Sequence, residues 1–353
     1  MDWQRRATEK FSTQLQTLCD SCKYRNGVTV MQYRLPLDFV ISFCRDMIPE
    51  HGEDSYCYSF CDTAGMLGVF DGCGGAGARK HDFYSGRTEA YIASRLCAGS
   101  FYDSFRANFP CSLPAEQVTN EILAPNAIRT LVTYEPPKDE TGFRIIGSMV
   151  RTLPTTAAVA LIQQTDNGEL LISAIWAGDS RVFLLNAQGL AQLTLDDTSV
   201  PDPMENIYED GVLENVFCSD RKVQVHCRTI RIRPPFVVLA ATDGCFGYVS
   251  TPMEFEGILI HALLNAATPA EWESKLAEMI GVSAGDDHTL CLATFGYSSF
   301  AALRESLSDR YNHILNEYLE PVSKLPIDDR QSRYQLWNRY QADYMRYLKG
   351  GLM

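Results

Sequence analysis

The chain of 353 residues lacks long apolar runs and has little positive charge. No stretch approaches the roughly 20 apolar residues that a membrane-spanning helix needs, so we expect no membrane segment. Against 44 acidic residues there are only 31 Lys and Arg, which leaves a net charge of -13. Such a charge disfavours nonspecific binding to nucleic acid or to anionic membranes. We therefore expect neither among its partners.

The twelve cysteines lack the regular spacing of a disulfide framework. The N-terminal segment is charged and amphipathic and has no signal-peptide apolar run. These two absences predict a cytoplasmic protein with mostly reduced thiols. Cys19 and Cys22 form the one tight C-x-x-C pair. Half a zinc site or a redox pair is one interpretation; two partly buried thiols on a helix or turn is the one we favour.

Short β-rich runs separated by turn residues dominate the pattern. Residues 55–71 alternate around a turn at 63–65, which is typical of a hairpin. Residues 155–194 hold three apolar runs with turns between them, which predicts an antiparallel meander. Helical spacing covers residues 84–106 and 252–280, a second helix opens at Pro114, and a helical tail runs from 299, broken near Pro321 and Pro326. Since regular βαβ alternation is absent, we predict an antiparallel α+β fold.

Acidic residues recur where apolar runs end, beside glycine or a second acid. They are Glu53, Asp54, Asp71, Asp179, Asp243, Asp286 and Asp287. A single Asp of this kind is usually a turn residue. Carboxylates that meet at one edge repel each other unless cations bind between them. Oxygen ligands suit Mg²⁺ or Mn²⁺, and two such ions can activate a water for attack on a phosphoryl centre. The alternative is a solvated acidic rim.

Six motifs in order resemble the metal-dependent protein phosphatases of the 2C type: GEDSY, GVFDGCGG, TTAAVALI, AGDSRVFLL, LAATDGCFGYVS and GDDHTLCLATF. The match covers roughly residues 28–297. The resemblance implies a central antiparallel β-sandwich flanked by helices on both faces, with a metal centre at one edge. We expect residues 28–297 to form the catalytic domain, with a helical extension at 1–27 and another at 298–353 that packs on the domain.

The same resemblance implies hydrolysis of phosphoserine and phosphothreonine in proteins, with two Mn²⁺ or Mg²⁺ ions and a weaker third. Asp71 would bridge the two ions, and Asp243 and Asp286 would complete the ligands of one. Glu53 and the Gly72 carbonyl would serve the other. Asp54 would hold a metal-bound water, and Asp179 would help bind the third ion. The partners implied are a phosphorylated protein and a cognate Ser/Thr kinase; the oligomeric state is not indicated.

Cys73 stands where the family usually has the histidine thought to protonate the leaving group. A thiol is a poorer match to neutral pH than imidazole, because its ordinary pKa is about 8.5. Near two cations it would be a thiolate or a ligand of a softer metal. We favour a third interpretation, in which Cys73 fills space and water protonates the leaving group. His51 and His81 are the nearest histidines that could replace the imidazole.

Pro49 stands where the family often has an arginine that binds phosphate. Arg45 and Arg79 are the candidate substitutes, with Lys80 and Arg87 beyond them, although the interpretation we favour for the residues after the glycine loop is a solvated basic face. An intact carboxylate set with an altered acid and phosphate clamp leaves two functions open. The first is an active phosphatase with altered rate or substrate. The second is a metal-binding pseudophosphatase that acts as a binding or regulatory module. The intact carboxylates favour the first, because clustered charge is costly to keep for packing alone.

Overall fold

The computed structural model describes residues 35–137, 150–209, 211–326 and 328–348. Within them, ten strands form two antiparallel five-stranded sheets, in the orders β1-β10-β9-β6-β7 and β2-β3-β4-β5-β8. The strands are β1 (Leu37–Arg45), β2 (Ser55–Phe60), β3 (Ala64–Phe70), β4 (Ala157–Gln164), β5 (Leu170–Ala177), β6 (Arg181–Asn186), β7 (Gly189–Gln192), β8 (His226–Ile232), β9 (Phe236–Ala241) and β10 (His288–Phe295).

Helices cover both outer faces of this sandwich. They are α1 (Glu89–Asn108), α2 (Ala115–Val118), α3 (Ala124–Thr133), α4 (Glu205–Tyr208), α5 (Pro252–Leu264), α6 (Pro269–Ser283), α7 (Phe300–Ile314), α8 (Glu320–Ser323) and α9 (Arg330–Tyr344). π-helical turns at Thr119–Leu123 and Leu315–Leu319 join α2 to α3 and α7 to α8. The predicted α+β class and the β-sandwich flanked by helices are confirmed.

Three apolar layers hold the sandwich together. Side chains such as Val40, Leu67 and Val238 alternate inward from both sheets and fill the middle layer. The outer face of the second sheet packs on α1, α2 and α3. The outer face of the first sheet packs on α5, α6 and the C-terminal helices, with Trp272 and Trp337 fully buried. Burial of apolar surface on this scale is the dominant stabilising contribution to the fold.

The C-terminal helices are tied to the body by polar contacts as well. Tyr340 donates from its hydroxyl to the Glu256 carboxylate at 2.5 Å, and Arg333 donates to the Ser250 hydroxyl at 2.8 Å. Arg346 donates to the Gly189 carbonyl of β7 at 2.9 Å. Along the described ranges, no helix is both long and apolar enough to cross a membrane.

Two helix boundaries differ from the predicted ones. The single helix expected over 252–280 is two helices, because the Thr268 hydroxyl accepts from the Glu271 N–H and Pro269 begins a new first turn. Pro321 does not break the tail, because the helical backbone runs without interruption from α7 through the π-helical turn at Leu315–Leu319 into α8. The extension at 1–27 and the C-x-x-C pair lie outside the described residues.

Candidate metal centre

The strand register brings the acidic residues to one end of the sandwich. Arg45, the last residue of β1, pairs with His288, the first of β10. In the second sheet Phe70, at the end of β3, pairs with Ser55, at the start of β2. Asp54, Asp71 and Asp286 therefore follow or precede strands at the same end.

Glu53 lies next to Asp54, and two further carboxylates reach this end through β9 and the turn between β5 and β6. Ala241, which ends β9, pairs with Leu290 of β10 and with Arg181 of β6. Asp243 follows it by two residues, and Asp179 lies between β5 and β6. We call Glu53, Asp54, Asp71, Asp179, Asp243 and Asp286 together the carboxylate edge.

The acids of the carboxylate edge raise one another's pKa. Burial raises the pKa of Asp71 well above its ordinary value, and the charges of Asp54, Asp243 and Asp179 raise it further. The pKa of Asp243 rises to about 6 through burial and the Asp286 charge, while its hydrogen bond with Asp71 acts in the opposite direction. Burial and then the Asp243 charge raise the pKa of Asp179. Like charges held this closely favour a cation between them.

Asp54 is the most buried acid of the edge, at 2% exposure. Its carboxylate accepts a hydrogen bond from the Thr242 hydroxyl at 2.8 Å. Burial raises its pKa well above the ordinary value, and the Asp287 charge adds to this effect, whereas the Thr242 bond lowers it. The Thr289 side chain also lowers this pKa, so two hydroxyl residues orient the carboxylate.

The loop after β3 is close to its neighbours, and Gly72 is needed there. A Cβ at Gly72 would lie 2.6 Å from the Ala90 carbonyl oxygen and 2.8 Å from that of Glu53, both backbone atoms. Asp71 is fixed by the two residues that precede β4. Its backbone carbonyl accepts from the Thr156 N–H at 2.8 Å and from the Thr155 hydroxyl at 2.7 Å. The Gly72 carbonyl accepts no hydrogen bond from the described part of the chain.

The donor set of this edge fits hard divalent cations. Its side chains offer carboxylate oxygens only, and the Gly72 backbone carbonyl lies among them, which is the ligand chemistry of Mg²⁺ and Mn²⁺. In the described ranges, no three His, Cys, Asp or Glu side chains already form a closed cation-binding group. The observation that supports the fit is thus the mutual repulsion of the acids rather than a ready ligand cage.

Cys73 lies beside these acids. Its N–H donates to the Pro154 carbonyl at 3.2 Å, and its carbonyl accepts from Ala76 and Gly77. Burial raises the pKa of the thiol well above its ordinary value, and the charges of Asp71, Asp179 and Asp243 raise it further. With no cation present the thiol is therefore protonated, which argues against a free thiolate in the apo protein.

The two nearby histidines differ in their surroundings. The Nε2 of His81 lies 2.7 Å from the carboxylate of the buried Glu89, which also accepts from the Leu153 N–H at 3.1 Å. His81 is thus engaged at the start of α1. His51 is exposed, and its backbone N–H donates to the Ile48 carbonyl.

The predicted phosphate-binding arginines have other neighbours. Arg79 lies 3.9 Å from Glu89 with its side chain 48% exposed. Arg45 is exposed at the end of β1, where its charge acts on Glu273 and His288. Arg87 donates to the Glu50 carbonyl and stacks over Tyr91. Their role in phosphate binding stays a prediction.

Residues at the start of α1 orient Glu53. The Thr88 hydroxyl, which also caps α1, donates to the Glu53 carboxylate. Ser94 and Arg95 of α1 donate to the Glu53 carbonyl. No local pattern marks these side chains, because they act across a distance of about forty residues in the chain. Asp287 was noted beside Asp286, but its contacts could not be read from the sequence.

Comparisons with known proteins identify the fold. No family model and no curated protein matches the chain. Among solved structures, a bacterial serine phosphatase is 18% identical, covers 74% of this chain and 98% of its own, and superposes with a TM-score of 0.53. The serine/threonine phosphatase Stp1 from Staphylococcus aureus is 16% identical over 78% of this chain and 99% of its own, with a TM-score of 0.52.

A third neighbour, the serine/threonine phosphatase of S. agalactiae, is 13% identical over 73% of this chain and 99% of its own, with a TM-score of 0.51. The present chain thus spans nearly the whole length of each of these proteins. Identities this low show the fold alone. The fold is the 2C-like phosphatase fold that the six sequence motifs imply.

Proposed function

We propose that this protein is a Mn²⁺- or Mg²⁺-dependent phosphatase that hydrolyses phosphoserine and phosphothreonine in proteins. The observation that carries the proposal is the carboxylate edge: six acids beside the Gly72 carbonyl at one end of a 2C-like phosphatase fold, with pKa values raised by burial and by the charges of neighbouring acids. Its partners would be phosphoproteins and the Ser/Thr kinase whose product it removes. A cytoplasmic location and a signalling role stay predictions.

The proposed ligand roles follow the placement of the acids. Asp71, which neighbours the most acids, would bridge two ions; Asp243 and Asp286 would complete one ion's ligands, and Glu53 with the Gly72 carbonyl would serve the other. Asp179 would help bind a weaker third ion. When bound, the cations supply a positive field that attracts the phosphate dianion and lowers the pKa of a water.

Asp54 would orient the attacking water. Its hydrogen bond to Thr242 fixes the carboxylate, and its burial excludes bulk solvent from around it. The carboxylate would then accept a hydrogen bond from a water and hold that water in a single orientation, which lowers the entropy cost of its attack. Cys73 would line the site as a neutral side chain, and solvent would supply the proton to the departing Ser or Thr oxygen.

Hydrolysis of a phosphothreonine peptide, with Mn²⁺ and with chelator, tests this proposal. We expect turnover with Mn²⁺ and none after chelation. p-Nitrophenyl phosphate serves as a second substrate, because its leaving group needs no proton. Hydrolysis of both substrates at the same rate with chelator as with Mn²⁺ would contradict a metal-dependent mechanism.

The raised thiol pKa of Cys73 and the proline at position 49 favour a second candidate, a metal-binding pseudophosphatase. On this alternative the protein binds Mn²⁺ and a phosphoprotein without turnover. Cys73→His separates the two candidates. An inactive wild type whose Cys73→His variant hydrolyses the phosphothreonine peptide would indicate the pseudophosphatase, whereas measurable wild-type turnover would indicate the enzyme.

A further inference from the structure

One carboxylate, that of Asp287, binds both ends of the loop that joins β1 to β2. Its Oδ1 accepts from the Met47 N–H and its Oδ2 from the Glu53 N–H, each at 2.7 Å. Asp287 itself lies in the turn that leads into β10, far along the chain. Asp287 thus fixes the loop to the start of β10 at Met47 and at Glu53.

Helix α1 holds Glu53 from the opposite side. The Ser94 hydroxyl donates to the Glu53 carbonyl at 2.5 Å, and the Arg95 guanidinium donates to the same oxygen at 3.3 Å and to the Gly52 carbonyl at 3.1 Å. Arg95 is itself kept in place by the Tyr91 ring, 3.5 Å from the guanidinium carbon to the ring centroid. The Thr88 hydroxyl binds the Glu53 carboxylate. The N–H, the carbonyl and the side chain of Glu53 therefore each have a separate partner.

The acid at position 287 is chemically specific. An ionised carboxylate presents two acceptor oxygens, so it can bind two N–H groups at once. An asparagine of the same size has one acceptor, and its NH₂ would face the second N–H. A further negative charge beside Glu53 and Asp286 is electrostatically unfavourable. Stabilisation of the fold alone is therefore a poor explanation for an acid at position 287.

We propose that Asp287 is a positioning residue that fixes Glu53 for cation binding. The inference rests on the proposed function, because it assigns Glu53 as a ligand. Asp287 acts through the backbone of Glu53 and does not itself contact the ion. Partners that only orient a ligand typically contribute about 10–100-fold to metal affinity.

Calorimetric titration of the metal-free protein with Mn²⁺ tests the proposal in a double-mutant cycle. The variants are Asp287→Ala, Glu53→Gln and the double variant. We expect Asp287→Ala to weaken Mn²⁺ binding at the Glu53 site by about tenfold or more. We expect the double variant to bind no more weakly than Glu53→Gln alone, because a residue that acts through Glu53 has no effect once Glu53 is removed.

Two further variants separate positioning from charge and from misfolding. Glu50→Gln removes one negative charge from the same exposed loop without touching either bond of Asp287, and should bind Mn²⁺ as the wild type does. Asp287→Asn keeps the side-chain size and one acceptor, so its affinity should lie between those of the wild type and Asp287→Ala. Hydrogen exchange in the metal-free protein should quicken at the Met47 and Glu53 amides of Asp287→Ala.

The outcomes distinguish this inference from the proposed function. A wild type that binds no Mn²⁺ contradicts the proposed function and the inference together. Wild-type binding with an unchanged Asp287→Ala affinity, or with fully additive losses in the double variant, overturns the inference alone. An Asp287→Ala effect that Glu50→Gln reproduces would also overturn it, since charge would then explain both.

Discussion

Two neighbouring groups of charged side chains in this protein differ in their balance of positive and negative charge. The carboxylate edge holds acids only, and burial together with their mutual repulsion raises the pKa values of Asp71 and Asp179. Beneath α9, two ion pairs are complete: Arg181 with Asp196 at 2.6 Å and Arg310 with Glu256 at 2.7 Å. We call these two pairs the ion-pair layer. The charges of the ion-pair layer are matched by partners of opposite sign, whereas the acids of the edge lie among other acids.

The C-terminal helix α9 completes the ion-pair layer. Arg181 donates to the Tyr344 hydroxyl at 3.3 Å, and Tyr340 donates to Glu256. The two groups meet at the turn after β5, because Asp179 of the edge lies two residues before Arg181 of the layer. The contrast supports the proposal that a cation binds at the edge.

The largest expected effect comes from removing one acid of the edge. We expect Asp243→Asn to lower phosphothreonine peptide hydrolysis by at least ~100-fold, because loss of a ligand exceeds the effect of residues that only orient ligands. The metal-free variant should melt no lower than the wild type, since one repelling charge is gone. Peptide assays and thermal melting measure both. Asp166→Asn, an exposed turn acid, is the matched control; a large loss of metal-free stability in Asp243→Asn alone would contradict the contrast.

In the ion-pair layer, removing one charge should lower the stability of the fold. Arg310→Ala leaves Glu256 buried and unpaired, so we expect a loss of about 3–5 kcal/mol in the free energy of unfolding. Urea unfolding measures it, with exposed Arg339→Ala as the control. Replacing both partners, Arg310→Met with Glu256→Leu, should cost less than the single change. A single-variant loss no greater than that of Arg339→Ala would show that the pair is not structural.

The pH dependence of stability sharpens the comparison further. Acids whose pKa is raised on folding bind protons more tightly in the folded state, so metal-free stability should fall as pH rises from about 4 through the Asp243 pKa of about 6. We therefore expect a higher melting temperature at pH 5.5 than at pH 7.5 without metal. Saturating Mn²⁺ should raise the melting temperature more at pH 7.5.

Two variants check the source of this pH effect. Burial also raises the pKa of Asp38 to about 6, so Asp38→Asn removes a contribution from outside the edge. The remaining slope should shrink when Asp243→Asn is added. A slope that disappears with Asp38→Asn alone would assign the effect to Asp38 and not to the edge.

The smallest effect is expected at Cys73. If solvent protonates the leaving group, Cys73→Ala should change peptide hydrolysis by no more than about threefold, well below the ~10²-fold that loss of a general acid costs. Initial rates on the phosphothreonine peptide and on p-nitrophenyl phosphate measure it. A large loss on the peptide with little change on p-nitrophenyl phosphate would instead identify the thiol as the proton donor.

The sequence allowed prediction of most strands and of the acids at their ends. Alternation and turn residues are local signals, so the hairpin of β2 and β3 and the β9 strand before Asp243 could be recognised directly. The division of residues 252–280 into two helices was not predicted, because its signal, the helix cap at Thr268, is weaker. Pairing across the fold could not be predicted, which is why the contacts of Asp287 and Arg95 with Glu53 were missed. Such contacts depend on register between segments far apart in the chain.

Calorimetric titration of the metal-free protein with Mn²⁺, wild type against Asp71→Asn, tests the central claim most directly. Asp71 lies among the other acids of the edge and would bridge both ions. The account predicts at least two Mn²⁺ per wild-type chain and the loss of both tight sites in Asp71→Asn, with the fold retained. A wild type that binds no Mn²⁺ at millimolar concentration, or an Asp71→Asn variant that binds it unchanged, would contradict the account.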